Sequence, residues 1–376
     1  SCAERAAFLK AATGHAQVSI ETIEASPELF GRHISHDRHT LPHVSPDAIA
    51  QSLGAPALMI TGWYDWGLND ALATWALLMR AAPAAVREQS RLLITPSAHL
   101  APGWREGAAD HPELTRLFRG AGVADVLVRW FAAVRGGGLG AWPKVTYYLT
   151  GANAWRAAEA WPPPEGREVR LYLDGPGGLA PRPPAADGAD IYAYDPADPT
   201  PTVGGSIVSF VYPPGSVDVS GVQARADVLS YTSPPLTHDL DLAGPLTMVL
   251  FASTDASDTD FAARLSDVGP DGRAIQLQNG MLRARYRDVA AGPEPLQPGR
   301  VYQLEIDMWA VAHRFAAGHR LRVDISSADF PRFDRNANRG GRGGPPVVAR
   351  QTIRRGGVHA SHLIVRALRG DGALFA

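Results

Sequence analysis

The spacing of apolar residues changes twice along the chain. Residues 1–48 open with Ala6, Phe8, Leu9 and Ala12 at roughly helical spacing and then turn polar and histidine-rich. From Pro56 the text tightens. Ala57-Leu58-Met59-Ile60-Thr61 is an almost unbroken apolar run, which predicts a strand buried on both faces of a parallel sheet. After Gly62-Trp63-Tyr64-Asp65, residues Leu68, Leu72, Trp75 and Met79 fall on one helical stripe that Pro83 ends. Leu92-Leu93-Ile94-Thr95 reads as a second buried strand, with His99 just beyond it. A further helix is expected over 123–135, burying Val126, Trp130 and Phe131. Strand, helix, strand, helix is the rhythm of an α/β sheet.

Gly136-Gly137-Gly138 marks the second change, after which the period is two. In Val169-Arg-Leu-Tyr-Leu173 the aliphatic residues share one face and Arg170 and Tyr172 the other. Leu321-Arg-Val-Asp-Ile325 repeats this, and Phe261, Ala263 and Leu265 alternate before a Pro270-Asp271-Gly272 turn. Thr247-Met-Val-Leu-Phe251 is apolar enough for a core strand. Many short strands joined by Gly/Pro turns predict a β-sandwich. The expected division is therefore a helical remnant and linker over 1–48, an α/β part over 49–138 and an all-β part over 139–376.

Composition narrows the picture. A length of 376 residues suits two packed domains. A net charge of -2 offers neither nucleic acid nor an anionic membrane an electrostatic handle. No run reaches the 18 or so apolar residues a membrane helix needs. With one cysteine, Cys2, neither an internal disulfide nor an all-cysteine metal site can form. Ser1 reads as a fragment boundary without a leader pattern, leaving location unassigned with the cytoplasm favoured.

Chemistry in open α/β sheets collects at the carboxyl ends of the strands, where the loops converge. Asp65 and His99 each follow a predicted strand by four residues, in the order acid then histidine, with one helix between. That order is the one an α/β-hydrolase triad uses: the acid orients the imidazole, which deprotonates a serine. Spacing alone equally allows Asp65 to cap the helix starting near Trp66 and His99 to be an ordinary loop residue.

Gly62-Trp63-Tyr64-Asp65, followed by Ile94-Thr95-Pro96-Ser97-Ala98-His99, resembles the acid and histidine segments of the CocE/NonD-type hydrolases, the cocaine-esterase and X-prolyl dipeptidyl peptidase-like group. Relatives show Gly-Pro-Trp-x-His at the second segment; this chain keeps the proline and histidine and loses the tryptophan. The resemblance continues through Gly151-Ala-Asn-Ala-Trp155, Trp161-Pro162 and Asp227-Val-Leu-Ser-Tyr-Thr-Ser233. It then takes in Asp258-Thr-Asp-Phe261, Asp271-Gly272-Arg273, Leu282-Arg283, Gly318-His319-Arg320-Leu321 and Asp329-Phe-Pro-Arg-Phe333-Asp-Arg-Asn336. It implies the C-terminal part of an α/β-hydrolase sheet followed by a jelly-roll β-sandwich, and a serine hydrolase acting on a small-molecule ester or amide without a cofactor. Asp65 and His99 are then the catalytic acid and base. Trp66, Phe330 and Phe333 are candidate substrate-binding aromatics.

The nucleophile is missing. No serine here stands in a G-x-S-x-G elbow, and only 64 residues precede Asp65. The chain is therefore expected to be a fragment, inactive alone, with a separate N-terminal half or a homo-oligomer as possible partner. A non-catalytic jelly-roll binding or assembly module is the rival reading. His33, His36, His39 and His43 with Asp37 lack the i, i+4 helical pair of a metal site, Pro42 breaking the last, so a polar loop is expected. Asp255, Asp258 and Asp260 lack the rest of a calcium loop and read as turn aspartates at a strand start. Arg339, Arg342, Arg350, Arg354 and Arg355 lack interleaved aromatics and read as solvated.

Overall fold

The computed structural model describes residues 45–99, 122–139, 142–207, 213–288, 291–340 and 344–369. The histidine cluster at 33–43 and Arg342 lie outside them. After a short helix α1 (Pro46–Gln51) come β1 (Leu58–Tyr64), α2 (Leu68–Ala81), α3 (Ala84–Gln89), β2 (Arg91–Ala98) and α4 (Gly122–Gly136). Strands β1 and β2 pair in parallel from Leu58↔Arg91 to Tyr64↔Ala98. Every residue of β2 is buried, as its apolar run requires. Helix α2 buries Leu68, Trp75 and Leu78 and packs Leu72 and Met79 on the same core. It stops at Ala81, two residues before Pro83, which then opens α3.

Two expectations change. Helix α4 buries Trp130, but Phe131 is 56% exposed and Val126 only half-buried. One residue advances about 100° around a helix, so Trp130 and Phe131 cannot both face the sheet. Phe131 instead lays its edge against Trp130, ring centroids 5.0 Å apart. Next, β3 (Val145–Leu149) pairs in parallel with β2, and β4 (Ala154–Ala158) pairs antiparallel with β3. Hydrogen bonding thus carries the first sheet past residue 138 as far as Ala158, in the order β1-β2-β3-β4.

The rest is strand-rich: β5 (Arg167–Asp174), β6 (Gly178–Ala180), β7 (Gly188–Tyr194), β8 (Leu229–Thr232), β9 (Leu240–Thr254), β10 (Asp260–Val268), β11 (Ala274–Arg283), β12 (Tyr302–Phe315), β13 (Arg320–Ser326), β14 (Ala349–Arg355) and β15 (His362–Arg369). They form an 11-stranded network in the order β11-β10-β13-β8-β6-β5-β15-β9-β14-β7, with β12 on β9. One apolar core joins the inward faces, including Leu171, Leu173, Phe261, Leu265, Leu321 and Val323 at the alternate positions predicted. Gly272, at φ +84°, closes the β10–β11 turn, with its N–H donating to the Gly269 carbonyl at 2.9 Å.

The second face of β10 is also buried, although it carries Asp260, Arg264 and Ser266. Residues of the loop after β13 reach this face, Asp329 toward Arg264 and Asn336 toward Asp260, so its charges are paired internally. Arg283 grips Asp260 through two bonds of 3.0 Å, Arg285 reaches Asp258 at 3.0 Å, and Asn336 donates to both carboxylates at 2.9 and 2.7 Å. The two parts meet where Ala243, Ala310 and Ala312 pack among Trp63, Tyr147 and Val145. These small side chains let the strands of the second part approach the aromatic face of the first.

Candidate functional site

Asp65 and His99 are the first residues beyond the paired strand ends Tyr64 and Ala98. Parallel pairing therefore sets them side by side. His99 Nδ1 lies 3.0 Å from Asp65 Oδ1. An ionised carboxylate only accepts, so Nδ1 is the donor in this contact, and in the neutral ring that leaves the lone pair on Nε2. The His99 side chain is 45% exposed and that of Asp65 20%, so the pair opens to solvent on the imidazole side.

Local chemistry holds the acid. Asp65 Oδ1 also accepts the Gly67 N–H at 2.8 Å, while the Asp65 carbonyl accepts the Leu68 N–H at 3.1 Å. The aspartate turn and the pairing with His99 thus coexist on one oxygen. On the histidine side, β2 spends an extra residue: Gly62 pairs with Thr95, yet Tyr64 pairs with Ala98. This bulge re-aims the strand just before His99. It also brings the Ser97 carbonyl onto Gly62, where a Cβ would sit 2.0 Å from that oxygen. Only glycine fits there.

Trp66 is 56% exposed and sets its ring edge-on to the His99 imidazole, centroids 5.5 Å apart. The structure brings Asp65, His99 and Trp66 together. Phe330 and Phe333 are half-buried on the loop after β13 and are anchored elsewhere. Phe330 exchanges backbone hydrogen bonds with Thr200 and Thr202, and Phe333 lies 4.9 Å from the Arg332 guanidinium. Neither ring stacks on His99 among the described residues.

Asp255, Asp258 and Asp260 have protein partners. Asp255 accepts the Arg350 N–H at 2.8 Å, and the other two are held as described above. Among the described residues no group of three potential ligands could hold a metal, and no helix is long and apolar enough to cross a membrane. Of the arginines read as solvated, Arg355 instead grips Asp190 at 2.6 and 3.2 Å.

Sequence reasoning missed the polar residues that join the two parts and the histidine–aspartate network behind them in the β-rich part. Gln278 Nε2 donates to the Trp63 carbonyl at 2.5 Å, and Asn69 Nδ2 donates to Asp307 Oδ2 at 2.8 Å. Thr150 meets His313 at 2.9 Å; His313 Nε2 meets Asp267 Oδ2 at 3.0 Å; His319 meets Asp267 Oδ1 at 2.8 Å. Burial alone would raise the Asp267 carboxyl, but His313 and His319 outweigh it and hold it below the usual carboxylate range.

A largely parallel sheet followed by a large β-rich part is the arrangement this chain shares with hydrolases of known structure. The chain belongs to the CocE/NonD family of hydrolases. Residues 138–364 match the X-Pro dipeptidyl-peptidase C-terminal non-catalytic domain. The chain is 34% identical over 350 residues to the cocaine esterase of Rhodococcus sp. (strain MB1 Bresler), a match covering 84% of this chain and 57% of that protein. Among solved structures it is similar to an alpha-amino acid ester hydrolase, with TM-score 0.74 and 27% identity over 86% of this chain and 57% of that one. It is also similar to an aminopeptidase from the marine sediment archaeon Thaumarchaeota archaeon, with TM-score 0.73, 26% identity and the same coverage. The chain thus spans just over half the length of these relatives.

Proposed function

We propose that this chain supplies the acid, the base and the β-sandwich wall of a serine hydrolase that transfers an acyl group from an ester or amide to water. The observation that carries this is the 3.0 Å contact between His99 Nδ1 and Asp65 Oδ1 at neighbouring strand ends. Asp65 holds the ring so that Nε2 presents its lone pair. His99 takes the proton of a serine hydroxyl as the oxygen adds to the substrate carbonyl, then returns it to the leaving group. Water repeats the cycle on the acyl-enzyme. The serine is not in this sequence, since no G-x-S-x-G occurs. The chain by itself is therefore inert in acyl transfer.

The β-rich part is read as a jelly roll that closes one side of the substrate cleft. Trp66, whose ring stands beside that of His99, takes up part of the small-molecule substrate. The test is complementation. A polypeptide supplying the portion of the relatives that this chain does not span is combined with it, and hydrolysis of a small activated ester is followed. Turnover should appear and should drop by orders of magnitude in His99→Ala. Full turnover in His99→Ala would remove His99 from the mechanism.

A further inference from the structure

The turn that bears Asp65 is gripped from the β-rich part. Trp63 lies two residues before Asp65 in β1, and the register on β2 passes from Gly62 to Tyr64 without pairing it. A buried carbonyl needs a donor. Here the donors come from far along the chain: Gln278 Nε2 at 2.5 Å and Ser206 Oγ at 3.4 Å. Gln278 is fully buried on β11, next to a bulge where Leu265 pairs with Gln278 but Ser266 pairs with Gln276. Leu277 packs in the apolar core, and strand alternation puts the buried glutamines on either side of it on the opposite, polar face. Beyond the acid, Asn69 in the first turn of α2 is tied to Asp307 at the bulge of β12. Close packing of β11 on β12 fixes the two grips relative to each other: a Cβ at Gly280 would lie 1.9 Å from the Asp307 carbonyl oxygen.

Asp65 and His99 are partly exposed, and the contacts that set their separation run through the backbone of residues 62–69. Whatever shifts the Trp63 carbonyl shifts Asp65 against an imidazole carried on another strand.

We propose that Gln278 is a positioning residue for Asp65, so that the β-rich domain sets the geometry of the acid–histidine pair in addition to walling the cleft. This rests on the hydrolase reading above for its functional meaning, though its first readout does not. The test replaces Gln278 by Met in the full chain, keeping length and removing the donor. Gln351→Met serves as control, removing another buried amide whose Nε2 donates to Thr259 at 2.7 Å on a strand distant from the pair. The signal is the downfield Nδ1–H proton of His99 in the nuclear magnetic resonance spectrum. It should move or broaden in Gln278→Met and stay in place in Gln351→Met. In the complemented enzyme, kcat should fall about tenfold or more with KM unchanged, as a misplaced catalytic group predicts. If Gln278→Met does not fold, Gln278→Asn, which holds the amide one methylene short, should move the same signal. A His99 signal unmoved in a folded Gln278 variant, or moved equally in Gln351→Met, overturns the proposal. Because that signal needs neither nucleophile nor substrate, a moved signal without turnover spares the positioning role and sinks the hydrolase reading. Turnover that depends on His99 alongside an unmoved signal does the reverse.

Discussion

Gly62→Ala probes the strand-end geometry at its tightest point. The new Cβ would stand 2.0 Å from the Ser97 carbonyl oxygen and 2.7 Å from its carbon, where ordinary contact begins at 3.4 Å. Relief needs a separation of roughly 1.4 Å between β1 and the bulge of β2, since neither obstacle is a flexible side-chain end. Ser97 is two residues before His99, and Gly62 three before Asp65, so the strain falls between the two members of the pair. Overpacking of this kind costs about 1–3 kcal/mol of stability. A displacement of about 1 Å in a catalytic group can cost on the order of a hundredfold in rate. Denaturant titration and ester turnover of the complemented protein, measured together, separate the two effects. The expected result is a folded variant with a lower denaturation midpoint and turnover down by about two orders of magnitude. Unchanged turnover in folded Gly62→Ala would show that the bulge does not set the distance between Asp65 and His99.

Other outcomes follow from the same contacts. Arg285→Ala strips Asp258, fully buried, of its guanidinium; a loss of about 3–5 kcal/mol is expected from an uncompensated buried charge, read by thermal or chemical unfolding. Asp267→Asn should destabilise by about 1–3 kcal/mol at neutral pH, because an amide cannot accept from both His313 and His319. The native Asp267 carboxyl is held below its unfolded value, so its contribution is present above about pH 4 and fades as pH falls through the native value. The gap between wild type and Asp267→Asn should therefore shrink in acid; a gap that widens there would mean the carboxylate is not what binds the two rings. Trp66→Ala should raise KM for an aromatic ester with little change in stability, since the ring is exposed; an unchanged KM would remove Trp66 from the substrate site.

The parts of this molecule legible in the sequence are those set by neighbours close in the chain. Buried strands β1 and β2 announce themselves as apolar runs, and a parallel pair must place residues just past its ends together, so the contact between Asp65 and His99 is legible in advance. An apolar count places Phe131 inside because it ignores the 100° step that turns the ring away from Trp130. The extent of the first sheet was missed because β3 and β4 alternate as strands of either part would. What pairs them with β2 is a long-range choice. The polar face of β10 and β11 is the deepest gap. Arg264, Asp260 and Gln278 look like solvent-facing alternates, yet Gln278 finds its acceptor 215 residues away. Its partner is a backbone carbonyl, which leaves no trace in side-chain identity.

In the proposed mechanism Asp65 and His99 act as one unit in acyl transfer. A double-mutant cycle on ester hydrolysis by the complemented protein measures this directly. Groups that act as a unit are strongly non-additive. Asp65→Asn and His99→Ala should each lower turnover by orders of magnitude, and the double variant should be little worse than His99→Ala alone. Additive losses, or full turnover in Asp65→Asn, would contradict the account.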